Sequence, residues 1–284
     1  MEGLEYRYQD VVKNAKRTGP TETKSTDPLY ILYTSGTTGK PKGVERDCGG
    51  SAVSISNSLD LAFDLKAGDV MFASSDIGWV VGHSFIAYGP LLRGACSLVY
   101  EGKPNTPNPG IYWELIKKHN VRTFYTSPTA MRFLRREDSE GVHFKKHDVS
   151  CLEFFGIVGE RTDVHTYEWI RSILPPKCLY NDNFWQTETG HIMAGNFAKP
   201  TIFKCTPGTV TKPYPGWDIQ ILDEAGKRQK NGEMGVVVVK LPCTPGFMTS
   251  LYKNEQAFKE KYMAAYPGFY LAGDAGYFDV EDGY

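Results

Sequence analysis

The chain has 284 residues, of which 41% are hydrophobic and 23% charged, and its formal net charge is -1. This composition supplies enough apolar material for a large core and argues against disorder. The near-neutral charge argues against nucleic acid or an anionic membrane as the main partner. The six cysteines form no CxxC pair, which indicates neither a zinc site nor a disulfide framework, so we expect a reducing, cytoplasmic setting.

The first ten residues, MEGLEYRYQD, are charged and lack the apolar segment of a secretory signal. No apolar stretch of the sequence is long enough to span a bilayer. Both ends look truncated, so an organelle address remains open.

Residues 1–28 are polar and predict a short helix followed by a linker. Short apolar runs then alternate with longer amphipathic ones. The predicted strands are 29–33, 70–73, 95–100, 122–126, 152–158 and 178–180, and the predicted helices are 50–63, 84–93, 110–120, 128–137 and 163–174. This alternation predicts an α/β fold with a mostly parallel sheet covered on both faces. Ligands of such folds usually bind at the carboxyl ends of the strands.

After about residue 199 the sequence changes to β segments separated by Gly and Pro, notably 217–222 and 235–240, with a helix near 254–265. We therefore predict three parts: a polar leader at 1–28, an α/β subdomain at 29–199 and a smaller β-rich subdomain at 200–284.

Residues 33–43 read YTSGTTGKPKG and follow a predicted strand. Glycines let backbone N–H groups form a concave anion site, hydroxyls add donors, and lysines supply positive charge for a polyphosphate. The common P-loop is excluded, because only two residues separate Gly36 from Gly39 and a proline follows Lys40. The alternative is a polar turn between a strand and a helix. The candidate phosphate-binding residues are Thr34, Ser35, Gly36, Thr37, Thr38, Gly39, Lys40 and Lys42.

A second stretch, residues 182–190, reads DNFWQTETG. Glu188 is suited to a magnesium ion, directly or through water, and Thr187 is suited to donate to a phosphate oxygen. Taken alone, the stretch is equally compatible with a surface turn that contains two buried rings.

Three weaker stretches complete the pattern. VGERTD at 158–163 follows a strand and would set Gly159 and Glu160 against a purine. DIGWVVGHSFIAY at 76–88 is compatible with a buried helix entry whose histidine is satisfied. YLAGD at 270–274 ends in Asp274, whose two carboxylate oxygens fit two ribose hydroxyls, although a capping aspartate is the alternative.

These motifs resemble the signatures of the adenylate-forming superfamily, which includes acyl-CoA synthetases, luciferases and peptide-synthetase adenylation domains. The second motif is similar to the WWQTET of short-chain acyl-CoA synthetases, with Phe184 in place of the first tryptophan. The GER triplet, the residues around Arg46 and Asp47, and the run YEGKP at 100–104 resemble the propionate-activating branch. The resemblance implies layered sheets with flanking helices, an αβαβα-type core, with N- and C-terminal parts of the family fold missing.

The resemblance also implies the roles of individual residues. The catalytic group would comprise Thr187, Glu188 and Lys42, with Glu188 as the metal ligand. The nucleotide would contact the first loop from Thr34 to Lys40 together with Gly159, Glu160, Arg161, Asp182, Asn183, Phe184, Gln186, Thr187 and Asp274. The acyl pocket would be lined by Trp79, Val80, Val81, Val158 and Trp185.

The implied reaction joins a short carboxylate, propionate or acetate, to coenzyme A through an acyl-AMP, with ATP, Mg²⁺ and coenzyme A as the small-molecule partners. The resemblance implies that a lysine-bearing C-terminal domain lies outside the chain, so we expect a core fragment with little or no turnover. The alternatives are a non-catalytic AMP- or acyl-adenylate-binding module and an amino-acid adenylation domain. The apolar run at 79–81 argues against the second, because such domains usually place an acid in the pocket.

Overall fold

A five-stranded parallel sheet carries the central part of the chain. The computed structural model describes residues 6–35 and 41–281. The strands of this sheet are β3 (Val70–Ala73), β4 (Cys96–Leu98), β5 (Thr123–Thr126), β6 (Phe154–Val158) and β7 (Leu179–Asn183), and they lie in the order β4-β3-β5-β6-β7. Every residue of β5 and β6 is buried, as expected for central strands of a parallel sheet that is covered on both faces. The predicted parallel sheet is therefore confirmed.

Helices connect these strands. They are α2 (Cys48–Phe63) before β3, α4 (Ile111–Lys118) before β5, α5 (Pro128–Glu137) before β6 and α6 (Val164–Ile173) before β7, and a short 3-10 turn lies at Phe144–Lys146. The start of α5 is encoded locally. Pro128 occupies the first helical position and the Ser127 hydroxyl accepts a hydrogen bond from the Ala130 N–H. Asp163 caps α6 in the same way through the Thr166 N–H.

The predicted helix at 84–93 has a different geometry. Gly82–Tyr88 forms a π-helix and Gly89–Leu92 forms a short α-helix, α3. An added Cβ at Gly89 would lie 2.6 Å from Leu59 Cδ1, so the glycine permits close packing against α2. π-helical turns are rare and frequently lie at functional sites, and this one follows directly on the predicted acyl-pocket residues.

The first predicted strand does not join the parallel sheet. β1 (Pro28–Thr34) pairs antiparallel with β2 (Lys42–Asp47), which pairs antiparallel with β12 (Ser250–Leu251). Before β1 lies the short helix α1 (Tyr8–Lys13). Assigning 29–33 to the strand-helix alternation was wrong, because a second strand, and not a helix, follows it. Its burial pattern already differs, since exposed positions recur along β1 whereas β5 and β6 are buried throughout.

The C-terminal part is β-rich, as predicted. β8 (Ala194–Gly195) pairs with β9 (Lys212–Pro213), and β10 (Ile219–Leu222), β11 (Gly235–Lys240) and β13 (Phe269–Gly276) form an antiparallel sheet in the order β10-β11-β13. The helix α7 (Glu255–Tyr262) lies between β12 and β13 along the chain.

Two apolar clusters stabilise the molecule. One includes Trp113, Phe124 and Phe155, and the other joins Phe63 of α2 to residues of the C-terminal part such as Tyr270. The division of the chain near residues 28 and 199 stays a prediction. Among residues 6–35 and 41–281, no helix combines the length and the apolar character required to cross a bilayer.

Candidate functional site

Two adjacent cavities open at the carboxyl ends of β3, β5, β6 and β7. The larger cavity has a volume of about 570 Å³ and the smaller one about 500 Å³. Four residues line both cavities and form their common wall, namely Gly159, Glu160, Trp185 and Gln186. Position alone makes this edge of a parallel sheet the expected ligand site.

The residues predicted from the motifs separate between the two cavities. Around the larger cavity lie Gly159, Glu160, Arg161, Asp182, Asn183, Phe184, Gln186 and Asp274. Around the smaller cavity lie Trp79, Val80, Val81, Val158, Trp185 and Thr187. Thr187, which was predicted to contact the nucleotide, thus lies with the acyl set, and within the described residues Lys42 and Glu188 line neither cavity. The ligands of both cavities stay predictions.

Trp185 is the largest side chain of the common wall. Its indole N–H donates to the Tyr125 hydroxyl at 2.9 Å, and the Phe85 ring packs edge-on at 5.0 Å. Trp185 is only 7% exposed, whereas Trp79 at the smaller cavity is 67% exposed. The hydrogen bond and the ring contact fix the indole in one orientation, so the smaller cavity has a rigid apolar end.

Lys42, Glu188 and Tyr262 form a closed triangle of hydrogen bonds. Lys42 Nζ lies 2.9 Å from Glu188 Oε1 and 2.5 Å from the Tyr262 hydroxyl oxygen, and the hydroxyl donates to Glu188 Oε1 at 2.7 Å. Although burial alone would lower it, the hydrogen bonds with Tyr262 and Glu188 raise the pKa of Lys42 above its ordinary value. Burial opposes ionisation of Glu188, but the hydrogen bonds from Lys42 and Tyr262 hold its pKa below the usual range. The triangle therefore carries a fixed ammonium and a fixed carboxylate.

Arg46 holds the main chain of the same loop. Its guanidinium is fully buried and donates to the carbonyl oxygens of Thr187 and Gly246, with a further contact of 3.5 Å to the carbonyl oxygen of Glu188. Nε donates to the Tyr30 hydroxyl at 3.1 Å. Hydrogen bonds from a charged donor are stronger than neutral ones, so Arg46 fixes the position of the loop that carries Thr187 and Glu188.

The absence of a side chain at Gly190 makes room for this guanidinium. Gly190 has φ +74, and an added Cβ would overlap Arg46 Nη1 and Cζ. The Gly190 N–H donates to the Gln186 carbonyl at 3.0 Å and its own carbonyl accepts from the Ser84 hydroxyl at 2.7 Å. Residues 186–190 therefore form a tight turn that requires glycine at its end.

Gln186 connects the loop after β7 to β13. Its Nε2 donates to Asp274 Oδ2 at 2.5 Å and to the Ala272 carbonyl at 2.8 Å, while its Oε1 accepts from the Tyr270 hydroxyl at 2.7 Å. Burial raises the pKa of Asp274, and the hydrogen bond from Gln186 opposes that rise. The amide thus fixes the carboxylate that was predicted to bind ribose.

Glu160 in the common wall is held from α5. Arg132 Nη2 lies 2.6 Å from Glu160 Oε2, and the Thr129 hydroxyl donates to Oε1. Burial would raise its pKa, but Thr129 and Arg132 hold the pKa of Glu160 below the usual range. The preceding Gly159 has φ +105, and an added Cβ there would meet no atom within 4 Å. The backbone at this position is consequently open to a flat ligand.

Asp182 and Asn183 present polar groups to the larger cavity. Burial raises the pKa of Asp182 to about 7, so its carboxyl is protonated in a large fraction of molecules at neutral pH. The Asn183 amide donates to Asn181 Oδ1 at 2.7 Å, and its own Oδ1 is buried with no hydrogen-bond partner in the described part of the chain. A buried acceptor without a partner is compatible with a ligand that donates to it.

The first motif is described in part. Thr34 ends β1 opposite Lys42 in the register, and Ser35 directly follows it. Within residues 6–35 and 41–281 the buried Thr34 hydroxyl has no hydrogen-bond partner. The predicted phosphate-binding residues Gly36, Thr37, Thr38, Gly39 and Lys40 lie outside the described residues.

Three residues with clear contacts in the site had no predicted role there. Tyr262 ends α7 and Tyr125 lies in β5, and neither belongs to a motif. In the sequence Arg46 indicates only the branch of the family that the chain resembles, and nothing there predicts its burial against the loop at 187–188. Each makes its contact across more than 50 residues of chain, which local patterns do not report.

Comparisons with known proteins show the family of the chain. Residues 3–250 match the family described as AMP-binding enzyme. Acyl-CoA synthetase short-chain family member B, mitochondrial, of Dictyostelium discoideum is 43% identical over 260 residues, which cover 92% of this chain and 37% of the relative. Acyl-CoA synthetase short-chain family member 3, mitochondrial, of Mus musculus is 41% identical over 291 residues, which cover 100% and 42%.

Acetyl-coenzyme A synthetase of Ralstonia pickettii (strain 12J) is 42% identical over 270 residues, which cover 93% of this chain and 40% of the relative. The chain therefore spans less than half the length of these curated relatives. Because the family match extends over most of the sequence, the chain belongs to the AMP-binding enzyme family.

Proposed function

We propose that this chain is the nucleotide- and acyl-binding part of an AMP-forming short-chain acyl-CoA synthetase. The observation that carries the proposal is the pair of cavities that share the wall of Trp185 and Gln186, because an acyl-adenylate needs two spaces that meet, one for its nucleotide and one for its acyl chain. The names of the relatives, which include short-chain acyl-CoA and acetyl-CoA synthetases, support the same activity.

The proposed reaction has two halves. A carboxylate oxygen attacks the α-phosphorus of ATP, pyrophosphate leaves, and the acyl-AMP forms. The thiol of coenzyme A then attacks the acyl carbon, its proton is lost to solvent, and AMP leaves. No protein nucleophile is required, so the contribution of the chain is positioning and charge compensation.

We assign the larger cavity to the nucleotide. Asp274 would accept from the ribose hydroxyls, and the open backbone at Gly159 together with Phe184 would border the purine. Thr187 lines the neighbouring smaller cavity, and Lys42 is held beside Glu188 in the loop that follows the common wall. These two residues would face the phosphates, since a fixed ammonium and a hydroxyl donor compensate negative charge. The roles of the first loop, including Lys40, remain those implied by its motif.

Mg²⁺ fits this donor set through Glu188. Within the described residues no three His, Cys, Asp or Glu side chains form a metal-binding cluster. Magnesium at nucleotide sites is commonly held by one or two carboxylates and by phosphate oxygens, so a single fixed carboxylate suffices. When bound, the ion would supply charge neutralisation at the phosphates.

We assign the smaller cavity to a short acyl chain. Val80, Val81 and Val158 would contact the chain, and the rigid indole of Trp185 would limit its length. An apolar pocket distinguishes one methylene by only about 1–3 kcal/mol, so we expect both propionate and acetate to be accepted.

The free cysteines and the relatives named as mitochondrial support a reducing compartment, either the cytoplasm or an organelle.

The test is calorimetric titration with propyl-AMP, a stable mimic of the acyl-adenylate. We expect binding by the wild-type chain and strong weakening by Asp274→Ala, which removes the ribose acceptor. Absence of propyl-AMP binding by a folded wild-type chain, or equal binding by Asp274→Ala, would contradict the proposal.

The acyl assignment is tested with hexyl-AMP. We expect the wild-type chain to reject hexyl-AMP and Trp185→Ala to bind it, because three additional methylenes contribute about 2.4 kcal/mol once they are accommodated, or roughly 50-fold in affinity. Trp113→Ala is the matched control, since Trp113 is also buried but belongs to the other apolar cluster. If both variants rejected hexyl-AMP while remaining folded, Trp185 would not be the end of the acyl pocket.

A further inference from the structure

Tyr262 contacts both charged groups of the triangle and lies outside the motif loops. Its side chain is 4% exposed at the end of α7. The hydroxyl accepts a hydrogen bond from Lys42 Nζ at 2.5 Å and donates its own hydrogen to Glu188 Oε1 at 2.7 Å. Lys42 and Tyr262 therefore converge on the same carboxylate oxygen, Oε1.

This arrangement orients the carboxylate. Two donors at Oε1 from different directions fix the rotation of the Glu188 carboxyl group, which a single ion pair would leave free. Neither of these two donors uses Oε2. The hydroxyl also keeps Lys42 Nζ beside the carboxylate and limits the motion of its long side chain.

The tyrosine is itself held in place. The Tyr262 ring lies 5.7 Å from the Tyr270 ring, and the Tyr270 hydroxyl donates to Gln186 Oε1 at 2.7 Å. The phenol groups of α7 and β13 thus contact Glu188 and Gln186 respectively. These two residues are two positions apart on the same loop. Burial raises the pKa of Tyr262, so the phenol remains a donor at physiological pH.

We propose that Tyr262 is a positioning residue of the adenylation site, which orients the Glu188 carboxylate and the Lys42 ammonium toward the triphosphate and its magnesium ion. This inference rests on the function proposed above. It assigns a role to α7, which lies outside every motif of the sequence analysis.

The test compares MgATP with propyl-AMP in calorimetric titrations of the chain carrying Tyr262→Phe. We expect MgATP affinity to fall about tenfold, because an oriented hydrogen bond to a charged group is lost. Propyl-AMP has no β- or γ-phosphate and does not bind through magnesium, so we expect its affinity to change by less than about twofold. Tyr100→Phe is the matched control, since it also loses a hydroxyl bond of 2.5 Å, to the Thr106 carbonyl.

A double variant separates positioning from a general loss of structure. If Tyr262 acts through Glu188, Tyr262→Phe will change MgATP affinity little in a Glu188→Gln background. Equal effects in both backgrounds, an unchanged MgATP affinity, or equal losses for MgATP and propyl-AMP would overturn the inference. A wild-type chain that binds neither ligand would instead contradict the proposed function itself.

Discussion

Substitution of Gly190 by alanine tests how the loop at 186–190 is held. The wild-type residue has φ +74, and an added Cβ would overlap the buried guanidinium of Arg46. Alanine in a left-handed conformation costs about 1–2 kcal/mol, and an overpacked buried site costs about 1–3 kcal/mol more. We therefore expect Gly190→Ala to lower the free energy of unfolding by about 2–5 kcal/mol.

The guanidinium has little freedom to relieve this overlap. Arg46 is 0% exposed and donates to main-chain carbonyls at Thr187 and Gly246, so moving it breaks hydrogen bonds from a charged donor. Each such bond contributes about 1.5–3 kcal/mol. Movement of Arg46 therefore relieves the steric overlap but loses hydrogen bonds of similar free energy.

The assay is urea denaturation followed by circular dichroism, with Gly68→Ala as the matched control. Gly68 has φ +88 and an added Cβ there would meet no atom within 4 Å, so this variant reports the backbone conformation alone. We expect Gly190→Ala to be more destabilising than Gly68→Ala by about 1–3 kcal/mol. In an Arg46→Ala background the overlap is gone, and the two glycine variants should then have similar effects.

Equal destabilisation by the two glycine variants in the wild-type background would refute this reasoning. It would show that the Arg46 side chain can move away without lowering the free energy of unfolding, and that the guanidinium does not fix the loop carrying Thr187 and Glu188. Persistence of the difference after Arg46→Ala would assign the effect to another neighbour of Gly190.

Three further predictions concern the larger cavity. Burial raises the pKa of Asp182 to about 7, so the folded chain keeps a proton on this carboxyl that the unfolded chain releases near pH 4. The stability of the wild type relative to Asp182→Asn should therefore fall as pH rises from about 4 through 7. Urea midpoints of the two proteins that run parallel over this range would contradict this prediction. Gln186→Met removes the hydrogen bond of 2.5 Å to Asp274 and should weaken propyl-AMP binding about tenfold in calorimetry. Unchanged affinity would show that the Asp274 carboxylate does not depend on Gln186 for its orientation. Arg132→Ala breaks an ion pair with Glu160 in which both side chains are more than a third exposed, so propyl-AMP affinity should change by less than about threefold. A loss above tenfold would indicate that Arg132 contacts the ligand directly.

Several strands and helices in both parts of the chain were predictable because they are encoded locally. The bounds of β3, α5 and β11 agree with the prediction residue for residue, since each is an apolar or amphipathic run delimited by Gly, Pro or a capping side chain. The first strand was placed in the wrong sheet, because an apolar run does not specify its partner. β1 pairs antiparallel with β2, whereas the predicted alternation required a helix after the first strand.

The motif residues were predictable as a group, but the contacts that hold them were not. The sequence indicated Lys42 and Glu188 as charged site residues, yet their common partner lies 220 residues from Lys42 along the chain. The tyrosine lies in an amphipathic helix in which an aromatic residue carries no distinguishing signal. Arg46 gave no such signal either, because arginine is seldom fully buried, and here it is 0% exposed within β2.

The loop after β7 shows why the site depends on both halves of the chain. The loop follows a strand of the parallel sheet, but β2 holds its Thr187 carbonyl through Arg46, and the Met248 N–H donates to the Glu188 carbonyl at 3.0 Å. Tyrosines from α7 and β13 hold the two side chains on either side of Thr187. A boundary near residue 199, which remains a prediction, would pass between the residues proposed to act on the phosphates and the residues that orient them. The antiparallel elements and α7 therefore belong to the proposed adenylation site, because their contacts fix the geometry of the loop.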